Sequence, residues 1–274
     1  MEQIPVWEMK ALIRVMSFNI FLTCTDDEES EKFTELWRQR ADYNVQTIKR
    51  YSPDLIGFQE FDAGHWATYQ AQLGEYAAHR TNAQGDNLGN AIFWKPERFD
   101  LVRSGVLALC PTPEPADAAW VHLRCRWSGV ELLHLNTQLN DESEPSRVES
   151  MRLILEGLDR LQAAGPLPLV LTGDYNCNAW SPIYQQLQRE GFTDTYRAAG
   201  LPDTVEASTF HGFRGREYFA LEWGDQLYWR VDWILTRDAG TRLITTACAI
   251  VRDAEPPLYA SDHYPVLTEL RVQA

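Results

Sequence analysis

Short apolar runs that turn polar at their C-terminal ends recur along this chain, and they constrain its fold more than any other feature. ALIRVMSFNI (11–20), DLIGFQE (54–60), VELLHLNTQ (130–138) and LPLVLTGD (167–174) each read as a buried strand. Between the first two lies a charged stretch, Glu28 to Arg50, in which Phe33, Leu36, Trp37, Tyr43 and Ile48 recur at roughly helical spacing; Ser52-Pro53 stops it. Between the last two, Pro145 to Leu161 is amphipathic and helical. Each half is therefore strand, helix, strand, alike in pattern and not in residue identity.

Further strands are predicted at Ala91–Trp94, Arg230–Leu235, Ile244–Val251 and Val266–Val272. Pro111, Pro113 and Pro115 mark a surface loop, because strand-like sequence resumes directly after them, and Leu201 to Gly215 is a polar loop. No linker divides the chain, so residues 1–274 are expected to form a single domain. Its class is α/β: a four-layer sandwich of two mixed β-sheets packed face to face with helices outside. With 45% hydrophobic residues, including 10 Trp, 11 Tyr and 11 Phe, the chain has ample apolar volume for such a core.

Five polar clusters follow or flank these strands: Ser17-Phe18-Asn19, Gln59-Glu60, Gly173-Asp174-Tyr175-Asn176, Asp232 in VDWIL, and Ser261-Asp262-His263. Polar residues outside strand carboxyl ends are where open α/β sheets bind ligands. An isolated Asp there is more often a cap or turn former; the joint occurrence points to a site. Carboxylate and amide oxygens are hard ligands, and no Cys/His cluster competes, so the expected cofactor is Mg2+, with Mn2+ as a substitute.

In that order the clusters closely resemble the endonuclease/exonuclease/phosphatase superfamily, which has the fold of type I deoxyribonuclease. The resemblance runs from MSFNI through GFQE, GNAIFWKPERF, HLNTQLN, LTGDYN, TFHGF and VDWIL to SDHYPV. In motif it is nearest the bacterial and deadenylase-like branches. It implies a metal-dependent hydrolase of phosphoric ester bonds. It also implies roles: Glu60 binding the metal, with Asn19 and Asp262 in or near its coordination shell. Asp174, oriented by Asn176, would activate the attacking water, and His263, held by Asp232, would contact the scissile phosphate. Asn136, Gln138, Arg147 and His211 are candidate substrate contacts. A helix-surface role for Arg147 and a packed loop anchor for His211 weigh equally.

The pattern departs at Gln138, where most members carry His, and at Leu88, where several carry the carboxylate that pairs with it. A Gln donates a hydrogen bond to a phosphate oxygen but carries no charge. His134, on the same strand face but ~13 Å away, is too distant to replace that imidazole and reads as a core or sheet-edge residue.

The net charge of −14, from 39 acidic and 25 basic side chains, favours a small phosphoester as substrate. Cleavage of DNA or RNA is the alternative, and a binding protein that has lost catalysis the third reading. The five cysteines, Cys24, Cys110, Cys125, Cys177 and Cys248, are odd in number and scattered, which fits a reduced, cytoplasmic protein. Met1 to Arg14 does not read as a signal peptide, and no apolar run is long enough for membrane insertion.

Overall fold

The computed structural model describes residues 12–23, 37–82, 88–109, 116–216, 218, 229–239 and 242–273. The expected helical segment before Trp37, the acidic run Asp26 to Glu31 and the Pro111–Pro115 loop lie outside these residues.

The first sheet contains β1 (Leu12–Asn19), β2 (Leu55–Phe61), β3 (Ala77–Arg80), β4 (Gly89–Trp94), β11 (Arg242–Ile250) and β12 (Val266–Gln273), in the order β11-β12-β1-β2-β4-β3. The second contains β5 (Phe99–Ala108), β6 (Asp117–Cys125), β7 (Glu131–Gln138), β8 (Leu169–Asp174), β9 (Thr193–Asp194) and β10 (Asp232–Arg237), in the order β5-β6-β7-β8-β10-β9. Among the described residues only β1–β2 and β7–β8 pair in parallel. Parallel neighbours require a crossover. Helix α1 (Trp37–Tyr51) lies between β1 and β2 in sequence, and α3 (Glu144–Leu161) lies between β7 and β8. These are the two strand-helix-strand units read from the sequence. Helix α2 (Ala63–Gln72) follows β2, and α4 (Pro182–Arg189) and α5 (Thr195–Ala198) follow β8.

The two-residue period of a strand divides its side chains between layers. Val15, Leu55, Ile92, Val121, Val170 and Ile234 fill the space between the sheets. Their neighbours Met16, Ile56 and Phe58 point outwards and pack with Ile48 of α1 and Tyr69 of α2. Leu133, Leu135, Leu169 and Leu171 do the same against Met151, Ile154 and Leu158 of α3. The result is the DNase I-like four-layer sandwich.

Near the strand ends the inter-sheet space becomes polar. A side chain on Gly57 would collide with Thr172 Oγ1 and the Asn136 amide, so only glycine permits this approach of β2 to the second sheet. Asn136 donates to the carbonyls of Phe58 and Ala91 at 2.7 and 3.2 Å and accepts from Gln59 and the Thr172 hydroxyl at 2.5 and 2.9 Å. It therefore ties the sheets together just beneath the cleft. Among the described residues no helix is long and apolar enough to cross a membrane.

Candidate active site

The strand register assembles the site. Asn19, Gln138, Asp174 and Asp232 continue the inward-facing series of β1, β7, β8 and β10, so all four aim into the gap between the sheets. Gln138 and Asp174 are partners in the β7–β8 ladder, as are Asp174 and Asp232 in the β8–β10 ladder. Glu60 breaks its series. Strict alternation would send it after Ile56 and Phe58 to the helix side. A register shift in β2 between Phe58 and Phe61, with φ +57° at Glu60, turns it towards the cleft. Asn176 also has positive φ, +48°. Left-handed backbone at non-glycine residues is costly and gathers at functional sites.

The side chains converge on a cleft of about 630 Å3. Asn19 Nδ2 donates to Glu60 Oε1 and to Asp174 Oδ2, both at 2.9 Å, while its Oδ1 accepts from the Phe21 N–H at 3.0 Å. Gln138 Nε2 also donates to Glu60 Oε1, at 2.9 Å, and more distantly to Asp174 Oδ2, at 3.5 Å. Leu22 N–H donates to Glu60 Oε2 at 3.2 Å. The backbone N–H of Asn176 donates to Asp174 Oδ1 at 3.0 Å, and its side-chain amide donates to the Leu139 carbonyl. His263 Nδ1 sits 2.9 Å from Asp232 Oδ2, and its Nε2 faces Asp174 Oδ2 at 3.9 Å. Asp174, Asp232 and His263 each bring one donor atom within 4.8 Å of the others, a buried acidic and imidazole cluster.

Burial of so many carboxylates has electrostatic consequences. Burial and then the charge of Asp232 push Asp174 up to about 7. Burial also raises Asp262 to about 6, with His263 opposing and Glu60 adding to the rise. Burial alone would keep His263 neutral, yet Asp232, Asp262 and Asp174 lift it well above its ordinary value.

Asn19 and Asp232 lie buried beneath the cleft, bonded to its lining residues Glu60 and His263, and three other candidates do not reach it. Asn136 is engaged in the inter-sheet seam. Arg147 Nη1 donates to the carbonyls of Asn140 and Asp141, at 2.8 and 3.0 Å, and so holds the loop at the cleft's edge. His211 is buried, stacks on Tyr264 at 3.9 Å and lines a separate small cavity with Arg216 and Arg252. Its neighbour Phe210 faces the cleft instead, 5.0 Å from the His263 ring. In an extended segment one residue points in when the next points out. His134 is fully buried and donates from Nε2 to Thr172 Oγ1, whose hydroxyl is itself engaged with Asn136. Leu88 is 47% exposed at the cleft wall.

Arg40 escaped the sequence reading. It lies in a charged run, yet its side chain is completely buried. It donates to the carbonyls of Ile20, Phe21, Leu22 and Ala260 and packs over Trp37 at 4.9 Å. It thereby joins the loop carrying Leu22 to the segment entering Ser261-Asp262-His263. The one sequence signal was its position three residues after a helical Trp.

The sequence model of the Endonuclease/Exonuclease/phosphatase family matches residues 16–263, which include every polar cluster at the cleft. The chain belongs to that family. Family membership makes it a hydrolase of phosphoester bonds, and enzymes of this family generally use divalent metal ions. Among curated proteins it is similar to carbon catabolite repressor protein 4 homolog 3 of Arabidopsis thaliana. The two are 24% identical over 196 residues, covering 67% of this chain and 44% of that protein. It is likewise 24% identical to human Nocturnin over 195 residues, 63% of this chain and 45% of Nocturnin. The chain thus spans under half the length of these relatives. An endonuclease/exonuclease/phosphatase family protein of Bacteroides thetaiotaomicron superposes with a TM-score of 0.79 at 24% identity, covering 96% and 98% of the two chains. A mannosyl-6-phosphatase of the same organism gives 0.77 at 24% identity, covering 94% and 99%.

Proposed function

We propose that this family member hydrolyses the phosphoester of a small molecule, with Mg2+ as cofactor and Mn2+ as a substitute. One observation carries the reading: a buried imidazole is anchored on Asp232 and faces Asp174, in the same cleft as Glu60 and Asp262. The donor set suits such a cation. It is built from hard oxygens, and Asp174 and Asp262 are raised chiefly by burial and further by neighbouring carboxylates, a cost that a bound cation would relieve. Glu60 and Asp262 would hold the ion. Asn19 would support Glu60 through Nδ2, since its oxygen already accepts the Phe21 N–H. When bound, the cation supplies neutralisation of charge on the phosphate oxygens.

The remaining chemistry falls to the protein. Asp174, raised to about 7, suits deprotonation of an attacking water near neutral pH. The Asn176 N–H fixes one of its oxygens. Protonated His263 would stabilise the negative charge developing on the phosphate, with Asp232 accepting from Nδ1 and so orienting the ring and supporting its charge. A small substrate is favoured by the net charge of −14 and agrees with a mannosyl-6-phosphatase among the similar folds. The free thiols of Cys125, Cys177 and Cys248 fit a reducing compartment such as the cytoplasm. Pairing of C-terminal β12 with N-terminal β1 supports a single domain over 1–274.

The test is hydrolysis of p-nitrophenyl phosphate and bis(p-nitrophenyl) phosphate by metal-free and metal-loaded protein. Turnover is expected only with Mg2+ or Mn2+. Full activity after exhaustive chelation overturns the proposal.

A further inference from the structure

Among the described residues lining the cleft, Glu60, Asp117, Asp141, Asp174 and Asp262 are acidic, none is Lys or Arg, and His263 supplies the cationic side chain. Arginines on the adjoining elements are turned to other work. Arg40 holds main-chain carbonyls, Arg147 holds those of Asn140 and Asp141, Arg230 is paired with Asp194 and Asp203 at 2.7 and 2.6 Å, and Arg214 lies over the Tyr218 ring at 4.3 Å. Against the described lining residues, a second phosphate or carboxylate on a substrate would therefore meet carboxylates and no Lys or Arg.

What the walls offer is different. One side carries Asn90, Asp117, Asn140, Asp141 and Ser146; Asn90 already donates to Asp117, and Asn140 Oδ1 accepts the Glu142 and Ser143 N–H groups, so Asp141, Ser146 and the second Asp117 oxygen are the groups placed to exchange hydrogen bonds with hydroxyls. The other carries Phe210, with Tyr218 and Trp229 packed against it at 5.4 and 6.5 Å. An aromatic wall opposite a row of hydroxyl acceptors suits a group that is apolar on its C–H faces and polar at its edge.

We infer that the substrate is a singly phosphorylated sugar or polyol, and that any second anionic group on it is rejected. The inference rests on the phosphoester-hydrolase reading above and narrows it to one chemical class.

The test compares kcat/KM, with Mg2+ present, for a hexose 6-phosphate, a hexose 1,6-bisphosphate, ATP, a short single-stranded oligonucleotide, p-nitrophenyl phosphate and bis(p-nitrophenyl) phosphate. The hexose monophosphate is expected to exceed the bisphosphate, ATP and the oligonucleotide by at least ~10-fold, the scale of one added charge repelled at short range. It should also exceed p-nitrophenyl phosphate, which lacks hydroxyls. Asp141→Lys should narrow the gap between monophosphate and bisphosphate several-fold. Equal or faster turnover of the bisphosphate or oligonucleotide, a ratio unmoved by Asp141→Lys, or cleavage of the nitrophenyl esters with no preference for the sugar overturns the inference and leaves the hydrolase reading standing. No turnover of any compound overturns both.

Discussion

The Gln138 amide reaches from the second sheet to the first and donates to the Glu60 carboxylate at 2.9 Å. The sequence had suggested that Gln138 meets a phosphate in place of the histidine usual in the family. In the structure it braces a carboxylate. Asn19 makes the reciprocal crossing, from the first sheet to Asp174 in the second. Two neutral amides thus hold two acidic groups in register across the gap, without contributing charge of their own.

Gln138→Ala should therefore weaken the hold on Glu60 more than the chemistry itself. One such hydrogen bond is worth ~0.5–1.5 kcal/mol net, or roughly 2- to 10-fold. The expected result is that much increase in the Mg2+ concentration for half-maximal activity, with a smaller change in kcat at saturating metal. A variant as inactive as His263→Ala at saturating metal would contradict the bracing role.

Much of this arrangement was legible in the sequence because burial writes itself as apolar runs, and β1, β2, β7 and β8 are buried on both faces. β5 escaped because it is an edge strand with most side chains in solvent, Leu101, Val102 and Val106 among them. Helix α2 escaped because AGHWATYQAQ has little amphipathic contrast; its signal is the Asp62–His65 capping box at its start. At the site, residue type and strand position placed Asn19, Asp174 and Asp232 together, while Glu60, which alternation alone sends outwards, and His263, which precedes β12, were placed by the order of the motifs. The sequence did not reveal where a polar residue finds its partners. Asn136 looks like Gln138 on paper, two residues earlier on the same strand face. It is engaged by carbonyls of the opposite sheet because Gly57 lets the sheets close there. Arg40 was hidden for the converse reason, since a charge in a charged run reads as solvated.

Asp174→Asn and His263→Ala should each lower turnover ~100- to 1,000-fold, the usual cost of removing one preorganised group from such a site. Asp232 touches His263 and its charge also helps to raise Asp174, and the larger part of its effect should pass through the imidazole it holds. The double variant Asp232→Asn with His263→Ala is then expected to be no slower than His263→Ala alone, because coupled residues are not additive. Multiplied losses in kcat, with thermal melting unchanged, would give Asp232 a role independent of His263.

Arg40→Met should lower both stability and metal affinity. Removing a buried donor to several carbonyls leaves them unsatisfied, at ~1–3 kcal/mol for each such group. It also frees the loop whose Leu22 N–H contacts Glu60. Arg40→Lys keeps a cation but loses the planar fork and should fall between the two. Calorimetric melting and Mg2+ titration of the three proteins measure this. A methionine variant with unchanged Tm and metal affinity would remove Arg40 from the positioning of the site.

His134 gives the fold an acid sensitivity of predictable sign. Burial lowers its pKa from 6.5 to about 3, and its Nε2–H is engaged by Thr172, so the folded state keeps the imidazole neutral. An unfolded chain binds a proton there below about 6.5, whereas the folded chain resists until about 3. The contribution of this group to stability is therefore complete above pH 6.5 and is lost as pH falls through that window. The slope is at most roughly 1.4 kcal/mol per pH unit for one proton. His211, lowered to about 3 by burial and by the charges of His263 and Arg252, acts in the same sense, as does His65, lowered by burial, whereas Asp117, Asp174 and Asp262, all raised by burial, act in the opposite one. The total slope mixes all of these, so the informative quantity is a difference. His134→Gln retains an N–H donor for Thr172 and removes the titration. At pH 5 the proton uptake on unfolding, obtained from denaturation free energies at closely spaced pH values, should be about one proton smaller in the variant than in the parent chain. Identical uptake in the two proteins would mean that His134 is already protonated in the folded state, and that its surroundings hold charge that the Thr172–Asn136 seam does not reveal.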